Sequence, residues 1–264
     1  MQEVLAIALT SMHHDMSRLD RIALNLANIS TPGYKREVVA VRPFADVLDA
    51  TNQAQQAVAT GDVTGRDPAQ ASSAFQVLSD MRPGTVRVTG QPLDVALSGE
   101  GFLEVSTDQG PAYTRQGNLR LDARGRLVTA HGYPVMGKNG DIYLTTPTPA
   151  IDASGFITEP NATTGPAVAA PGTPVAQLRV VRFDSSMELQ RLGDGLVAAG
   201  SGMTVVGDGQ AQLRQGALEN ANVSSMQEMV QLIQTMRHFE SMQKVAQGYD
   251  EMLGISIRKL GDLS

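Results

Sequence analysis

The two ends of this chain carry a helical hydrophobic period, and the middle does not. Between Leu5 and Leu26, apolar residues fall at Leu5, Leu9, Met12, Met16, Leu19, Ala23 and Leu26. The steps alternate four and three, which places all seven on one seam of a helix. Near the other end Met229, Leu232, Met236, Phe239, Ala246 and Leu253 repeat the pattern less strictly. A seam needs a surface to bury it, and the nearest candidate is the seam at the opposite end. The pattern predicts a component that packs against others.

The first helix is predicted over residues 2–29, about 42 Å long at 1.5 Å per residue, too long for a small domain to cover. Thr31-Pro32-Gly33 stops it, because proline removes an N–H and restricts the residue before it. The second helix begins at Ser224 or Ser225, where Ser225 with Glu228, or Ser224 with Gln227, fits a capping box. It is expected to end at about Leu253, before Gly254. Met226, Val230 and Ile233 widen its apolar face beyond a single seam, enough to touch more than one neighbour.

From Val86 the period changes to two. Val86 and Val88, then Leu93, Val95 and Leu97, alternate with polar neighbours. Phe102–Val105, Leu119–Leu121, Leu127–Thr129, Tyr133–Met136 and Ile142–Leu144 follow as short strands, and Val175–Phe183 reads as the last strong one. Asp122-Ala123-Arg124-Gly125, Lys138-Asn139-Gly140-Asp141 and Asp152-Ala153-Ser154-Gly155 supply tight turns. Residues 160–174 read as a surface loop. The connector before this region is polar and Ala-rich, with a possible short helix around Phe44–Leu48 whose face would hold Phe44, Val47 and Leu48. The fold class is α+β: long terminal helices forming a coiled hairpin, with an irregular all-β domain inserted. The boundaries are 1–33, 34–85, 86–215 and 216–264.

Composition narrows the function. A formal net charge of −6 argues against general nucleic-acid binding, for which a basic patch is the usual footprint. The absence of Cys excludes disulfides, thiolate catalysis and Cys-based metal sites. No window approaches 18 consecutive apolar residues, so no transmembrane segment is expected. Glu3 stands where a leader's basic region belongs, and His13, His14, Asp15 and Arg18 interrupt the apolar run. The expectation is export, if any, by a route that reads no cleaved leader.

Catalytic and metal constellations are thin. His13 and His14 point about 100° apart on a helix and cannot act as an i, i+4 ligand pair. His131 lies in a turn, and His238 has no ligand partner nearby in sequence. Asp108, Asp122, Asp141 and Asp152 sit in turn-like sequence, where accepting backbone amides is the expected role. No cofactor is expected. The methionines of the last helix (Met226, Met229, Met236, Met242, Met252) are either helix-forming gap fillers or a deformable packing surface. Asn25 and Asn28 lie on or beside the first seam. A polar amide there fixes register when paired across an interface, although Asn28 could equally cap the helix end and Asn222 the start of the other helix.

Several segments then carry a family resemblance. Asn25-Leu26-Ala27-Asn28-Ile29-Ser30-Thr31-Pro32-Gly33-Tyr34-Lys35 resembles the N-terminal signature of the flagellar basal-body rod and hook proteins. Pro92–Leu97, Gly99-Glu100-Gly101-Phe102, Tyr113-Thr114-Arg115-Gln116-Gly117-Asn118 and Leu121–Thr129 resemble that family's shared β domain. Gly216–Val223 and Met236-Arg237-His238-Phe239-Glu240 resemble its C-terminal signature. The resemblance implies terminal helices in the core of a helical axial tube, partners that are the same and other rod proteins, and passage through the flagellar export apparatus. It implies assembly contacts at Leu5, Leu9, Met12, Met16, Leu19, Asn25, Leu26, Asn28, Met229, Leu232, Met236 and Phe239. The hook's extra domains do not fit in 264 residues. Thr31-Pro32-Gly33-Tyr34 and the compact middle lean to the proximal rather than the distal large rod member. The rival classes are a cell-wall hydrolase built on the β domain, which needs paired carboxylates in a cleft, and a carbohydrate or peptide binder, which needs an aromatic platform.

Overall fold

A computed structural model describes residues 2–41, 75–160, 174–183, 191–198, 202–207 and 210–261. The expected Phe44–Leu48 helix, most of the connector and residues 161–173 of the expected loop lie outside the described residues. Two long helices, α1 (Gln2–Ala27) and α2 (Ser225–Gly261), pack together, and an irregular β region lies between them in sequence. The chain divides into two compact units. One comprises Met1–Leu26, Glu37–Leu78 and Ser224–Ser264; the other comprises Ala27–Arg36 and Ser79–Val223.

The helices differ from expectation at their ends. α1 stops at Ala27, and the Thr31 N–H donates to the Asn28 carbonyl at 3.0 Å, closing the turn ahead of Pro32. The Glu228 N–H donates to the Ser224 carbonyl at 3.0 Å, so Ser224 is the cap residue of α2. α2 does not end before Gly254 but continues to Gly261. One interior glycine costs only about 1 kcal/mol relative to alanine, and the helix-compatible run Ile255–Leu260 continues beyond it. The helical unit also holds a two-stranded sheet, Glu37–Val41 with Phe75–Ser79.

The β unit is built from short antiparallel pieces. Phe102–Thr107 and Gly110–Thr114 form a hairpin at the centre of a six-stranded sheet. Leu119–Leu121 pairs with Leu127–Thr129 across the Asp122–Gly125 turn. In that turn Asp122 Oδ1 accepts the amides of Arg124 and Arg126, each at 2.8 Å, and Gly125 takes φ +78°. Asp152 repeats the device, accepting the amides of Ser154 at 2.9 Å and Phe156 at 2.8 Å. Asp141 departs from the expected turn role and lies 3.4 Å from Arg126. The run Val175–Phe183 is not one strand: Pro174–Gln177 joins a three-stranded sheet and Val180–Arg182 the six-stranded one. Nor is it the last, since Leu213–Gln215 pairs with Val95–Leu97 and Ala217–Glu219 with Val86–Val88.

Inward-facing residues close a core of Leu103, Val105, Leu127, Val135, Ile142, Ile157 and Leu178. A second cluster gathers Phe102, Tyr113, Val181, Phe183 and Val197, with the Phe183 ring edge-on to Phe102 and Tyr113 at 5.4 and 5.1 Å.

Candidate assembly interface

Among the described residues, the packing line of the helix pair mixes polar with apolar side chains, and large apolar side chains stand outside it. On α1 the buried positions are Ala8, Asp15 and Ile22, one heptad apart, together with Asn25. On α2 they include Glu228 and Thr235, again one heptad apart. The seam expected from sequence is therefore split. Leu5, Met12, Leu19 and Leu26 are half-buried, whereas Leu9 and Met16 are 54% and 56% exposed. Ala23 is exposed too. The line that turns inward is displaced by one residue from the apolar pattern, because Asp15 and Asn25 take inward positions through partners that sequence spacing does not reveal.

Those partners set the register. Asn25 Nδ2 donates to Glu228 Oε2 at 3.2 Å and to the Glu37 carbonyl at 2.8 Å, while Asn25 Oδ1 accepts the Glu37 N–H at 2.9 Å. Arg21 pairs with the Glu37 carboxylate at 3.0 Å. Asp15 Oδ2 lies 2.6 Å from His238 Nδ1. The Asn25–Glu228 and Asp15–His238 contacts are ten residues apart on both helices, the spacing of one antiparallel register running without slip over about 15 Å. A buried carboxylate or amide with partners resists slippage, since sliding would strand each group without one.

The outward faces carry large apolar side chains. Met226 is 77% exposed, Met229 54% and Ile233 51%, and Val230 and Met236 are exposed beside them. Positions i, i+3, i+4, i+7 and i+10 share one helical face. Among the other expected contact residues, Leu232 and Phe239 are half-buried. Asn28 is half-buried and bonds locally, its Oδ1 accepting the Thr31 hydroxyl at 3.2 Å. Apolar side chains clustered on an exposed face mark an interaction surface.

The β unit holds a second constellation that periodicity alone does not disclose. Lys35 Nζ lies 2.7 Å from Glu219 Oε1, and Arg115 Nε lies 2.8 Å from Glu219 Oε2, with all three side chains buried. The Gly84 N–H also donates to Glu219 Oε1 at 2.8 Å. Arg115 also donates to the carbonyls of Gly101, Gly99 and Leu97. Burial would raise the Glu219 pKa, but Arg115 and then Lys35 hold it below the ordinary carboxylate value. Burial lowers the Lys35 pKa, and the nearby Arg115 charge adds to this.

Around this triad the chain is tied at close range. The Gly33 N–H donates to the Glu219 carbonyl at 2.7 Å, and the Arg191 guanidinium stacks 4.9 Å from the Tyr34 ring centre and donates to the Lys35 carbonyl. Asn222 does not cap α2. Its Oδ1 accepts the Arg36 N–H at 2.7 Å, and its Nδ2 donates to the carbonyls of Asp80 and Arg82. Lys35, Arg115 and Glu219 each stand within a signature segment, which was the one available signal.

Among the described residues, no group of three or more His, Asp or Glu could hold a metal ion, and no helix is long and apolar enough to cross a membrane. Among the carboxylates of the β unit, Glu104 lies 3.1 Å from Arg179, and Glu159 accepts from Thr145 and Thr146.

Comparison with known proteins agrees with this architecture. Residues 96–173 match the family described as "Flagellar hook protein FlgE/F/G D1 domain", and residues 214–258 match "Flagellar basal body rod FlgEFG protein C-terminal". The chain is 33% identical to the flagellar basal-body rod protein FlgF of Salmonella typhimurium, over 88% of each chain. It is 33% identical to the rod protein FlgG of Agrobacterium fabrum, over 97% of this chain and 98% of that one. With the FlgF of Rhizobium meliloti it shares 30% identity over 99% of both. A chain with paired terminal helices, an irregular β region between them and this extent of identity belongs to the flagellar rod and hook FlgE/F/G family.

Proposed function

We propose that this chain is a non-catalytic structural subunit of the flagellar basal-body rod, occupying the proximal position, as the resemblance to FlgF suggests. In this reading the subunit passes through the flagellar export apparatus and assembles helically in the periplasm with its own copies and other rod proteins, contributing to motility. The observation that carries it is the apolar surface left exposed on the helix pair, whose inner line holds Ala8 and Ile22 beside polar side chains. Polar Asp15, Asn25, Glu228 and Thr235 are inside, while Leu9, Met16, Met229, Ile233 and Met236 face outward. Such a pair fixes its own register with hydrogen bonds and keeps its apolar surface for neighbours. Leu5, Met12, Leu19, Leu26, Leu232 and Phe239, half-buried in the single chain, complete the contacts as neighbours close over them.

A distal position is the second reading, favoured by the near full-length match to FlgG of Agrobacterium fabrum. A hydrolytic β unit receives less support, because Asp122 and Asp152 are engaged by backbone amides in turns rather than free in a cleft. The test is to isolate basal bodies from a strain whose only copy of this chain carries an epitope tag, and to locate the tag along the rod. Tag confined to a short segment nearest the inner membrane supports the proximal reading. Tag along the long outer segment moves the subunit to the distal position, and tag absent from the rod overturns the structural role.

A further inference from the structure

The exposed methionines lie on the helices, although Met12 and Met242, also helical, are half-buried. Among the described residues Met16, Met226, Met229, Met236 and Met252 are exposed, and all five lie on α1 or α2. The methionines described in the β unit, Met81, Met136 and Met203, are half-buried, and Met81 and Met203 pack on the Phe102–Tyr113–Phe183 cluster. Met226, Met229 and Met236 share one face with Val230 and Ile233, and none of the three replaces a residue of the polar inner line. The Asn25–Glu228 pairing also places exposed Leu24 level with Met229.

We propose that Met226, Met229 and Met236 form an oxidation-sensitive patch through which hydroperoxides control whether a free subunit can assemble. The thioether sulfur donates a lone pair to one oxygen of the hydroperoxide, and the O–O bond breaks. An S–O bond forms, and the departing oxygen leaves as water or an alcohol after taking up the proton released on the way. Sulfur is oxidised by two electrons and the peroxide is reduced by two. A flexible apolar side chain becomes a polar, chiral one at the centre of the outward face. The inner contacts, Asn25 with Glu228 and Asp15 with His238, contain no sulfur, so an oxidised subunit keeps its helix pair while losing its docking face. Subunits already packed are shielded by the neighbours that cover the patch. This inference rests on the assembly role proposed above.

The purified full-length chain treated with hydrogen peroxide is analysed by peptide mass spectrometry, and rod entry is followed in cells. Oxidation at Met226, Met229 and Met236 should run at least about fivefold faster than at Met81, Met136 and Met203. Helical circular dichroism should stay unchanged, and methionine sulfoxide reductases with dithiothreitol should restore the unmodified masses. In cells, M226Q/M229Q/M236Q, a polar stand-in for the sulfoxide, should be absent from isolated rods, whereas M226L/M229L/M236L should enter them normally. A peroxide pulse during rod assembly should reduce entry of the unaltered chain and leave the leucine variant unaffected. Equal oxidation rates across all the methionines would overturn the inference, as would rods that admit the glutamine variant at the normal level. If the unaltered, unoxidised chain fails to enter the rod, the assembly role itself is wrong, a result separate from these.

Discussion

Asn25 and Glu228 stand 203 positions apart in sequence and meet at 3.2 Å, both fully buried, joining the end of one terminal helix to the start of the other. The same amide also bonds both backbone groups of Glu37, so one side chain ties three segments of the helical unit together. Replacing Asn25 with alanine removes these three hydrogen bonds, one of them to the buried Glu228 carboxylate. The expected loss is about 2–4 kcal/mol in the helical unit. Asn28→Ala, which removes the half-buried turn contact to the Thr31 hydroxyl, should cost less, about 1 kcal/mol. Amide exchange along Glu37–Val41 and α1 reads both variants.

Gly33 takes φ +69°, and a Cβ there would stand 2.3 Å from the Arg115 carbonyl oxygen. Gly33→Ala should destabilise the β unit by at least about 2 kcal/mol, from strain together with a backbone clash. Gly90 has nearly the same φ, +72°, but open space around it. Gly90→Ala should cost only about 1 kcal/mol. Urea melts of the two variants separate strain from collision.

The Lys35–Glu219–Arg115 triad predicts an acid limb. The Glu219 pKa is lowered in the folded chain, so the unfolded chain binds the proton more tightly. Stability conferred by this carboxylate is therefore present above the ordinary value of 4.5 and is lost as pH falls through the lower folded value. Glu219→Gln leaves two buried cations without their carboxylate and should cost about 3–5 kcal/mol at neutral pH. It should also flatten the dependence below the ordinary carboxylate range. Urea midpoints of both proteins between neutral pH and strong acid measure the two effects together.

Among the described residues, the helix pair buries few large apolar side chains, Ile22 being the largest buried apolar one on α1. Helices gain most of their stability from such packing. In the free chain, amides of α1 and α2 should therefore exchange faster than those of Leu103, Val105 and Leu127 in the β unit. Equal protection in a verified monomer would contradict this expectation.

What the sequence disclosed was mostly local. The Asp122–Gly125 and Asp152–Gly155 turns were legible because a carboxylate reaches amides two and four residues on and a glycine supplies the positive φ. Both helices were legible from their period, which is local, but the end of α2 was not, since it runs past Gly254 to Gly261. The inward line was not, since Asp15 and Asn25 are held by His238 and Glu228 from the far end of the chain. The apolar pattern suggested a seam, but one part of it faces outward, consistent with contacts to be made by other subunits. Periodicity does not pick out Lys35, Arg115 and Glu219, because their partners lie far apart in sequence. Val175–Phe183 read as one strand because periodicity does not register a change of sheet.

The central claim is that the outward apolar faces of α1 and α2 are covered on assembly, and a density map of the intact rod with this chain traced tests it most directly. The account predicts Leu9, Met16, Met229, Ile233 and Met236 buried under helices of neighbouring subunits, with Asn25 still on Glu228. A rod in which those side chains remain solvent-exposed while the β units alone make the contacts would contradict it.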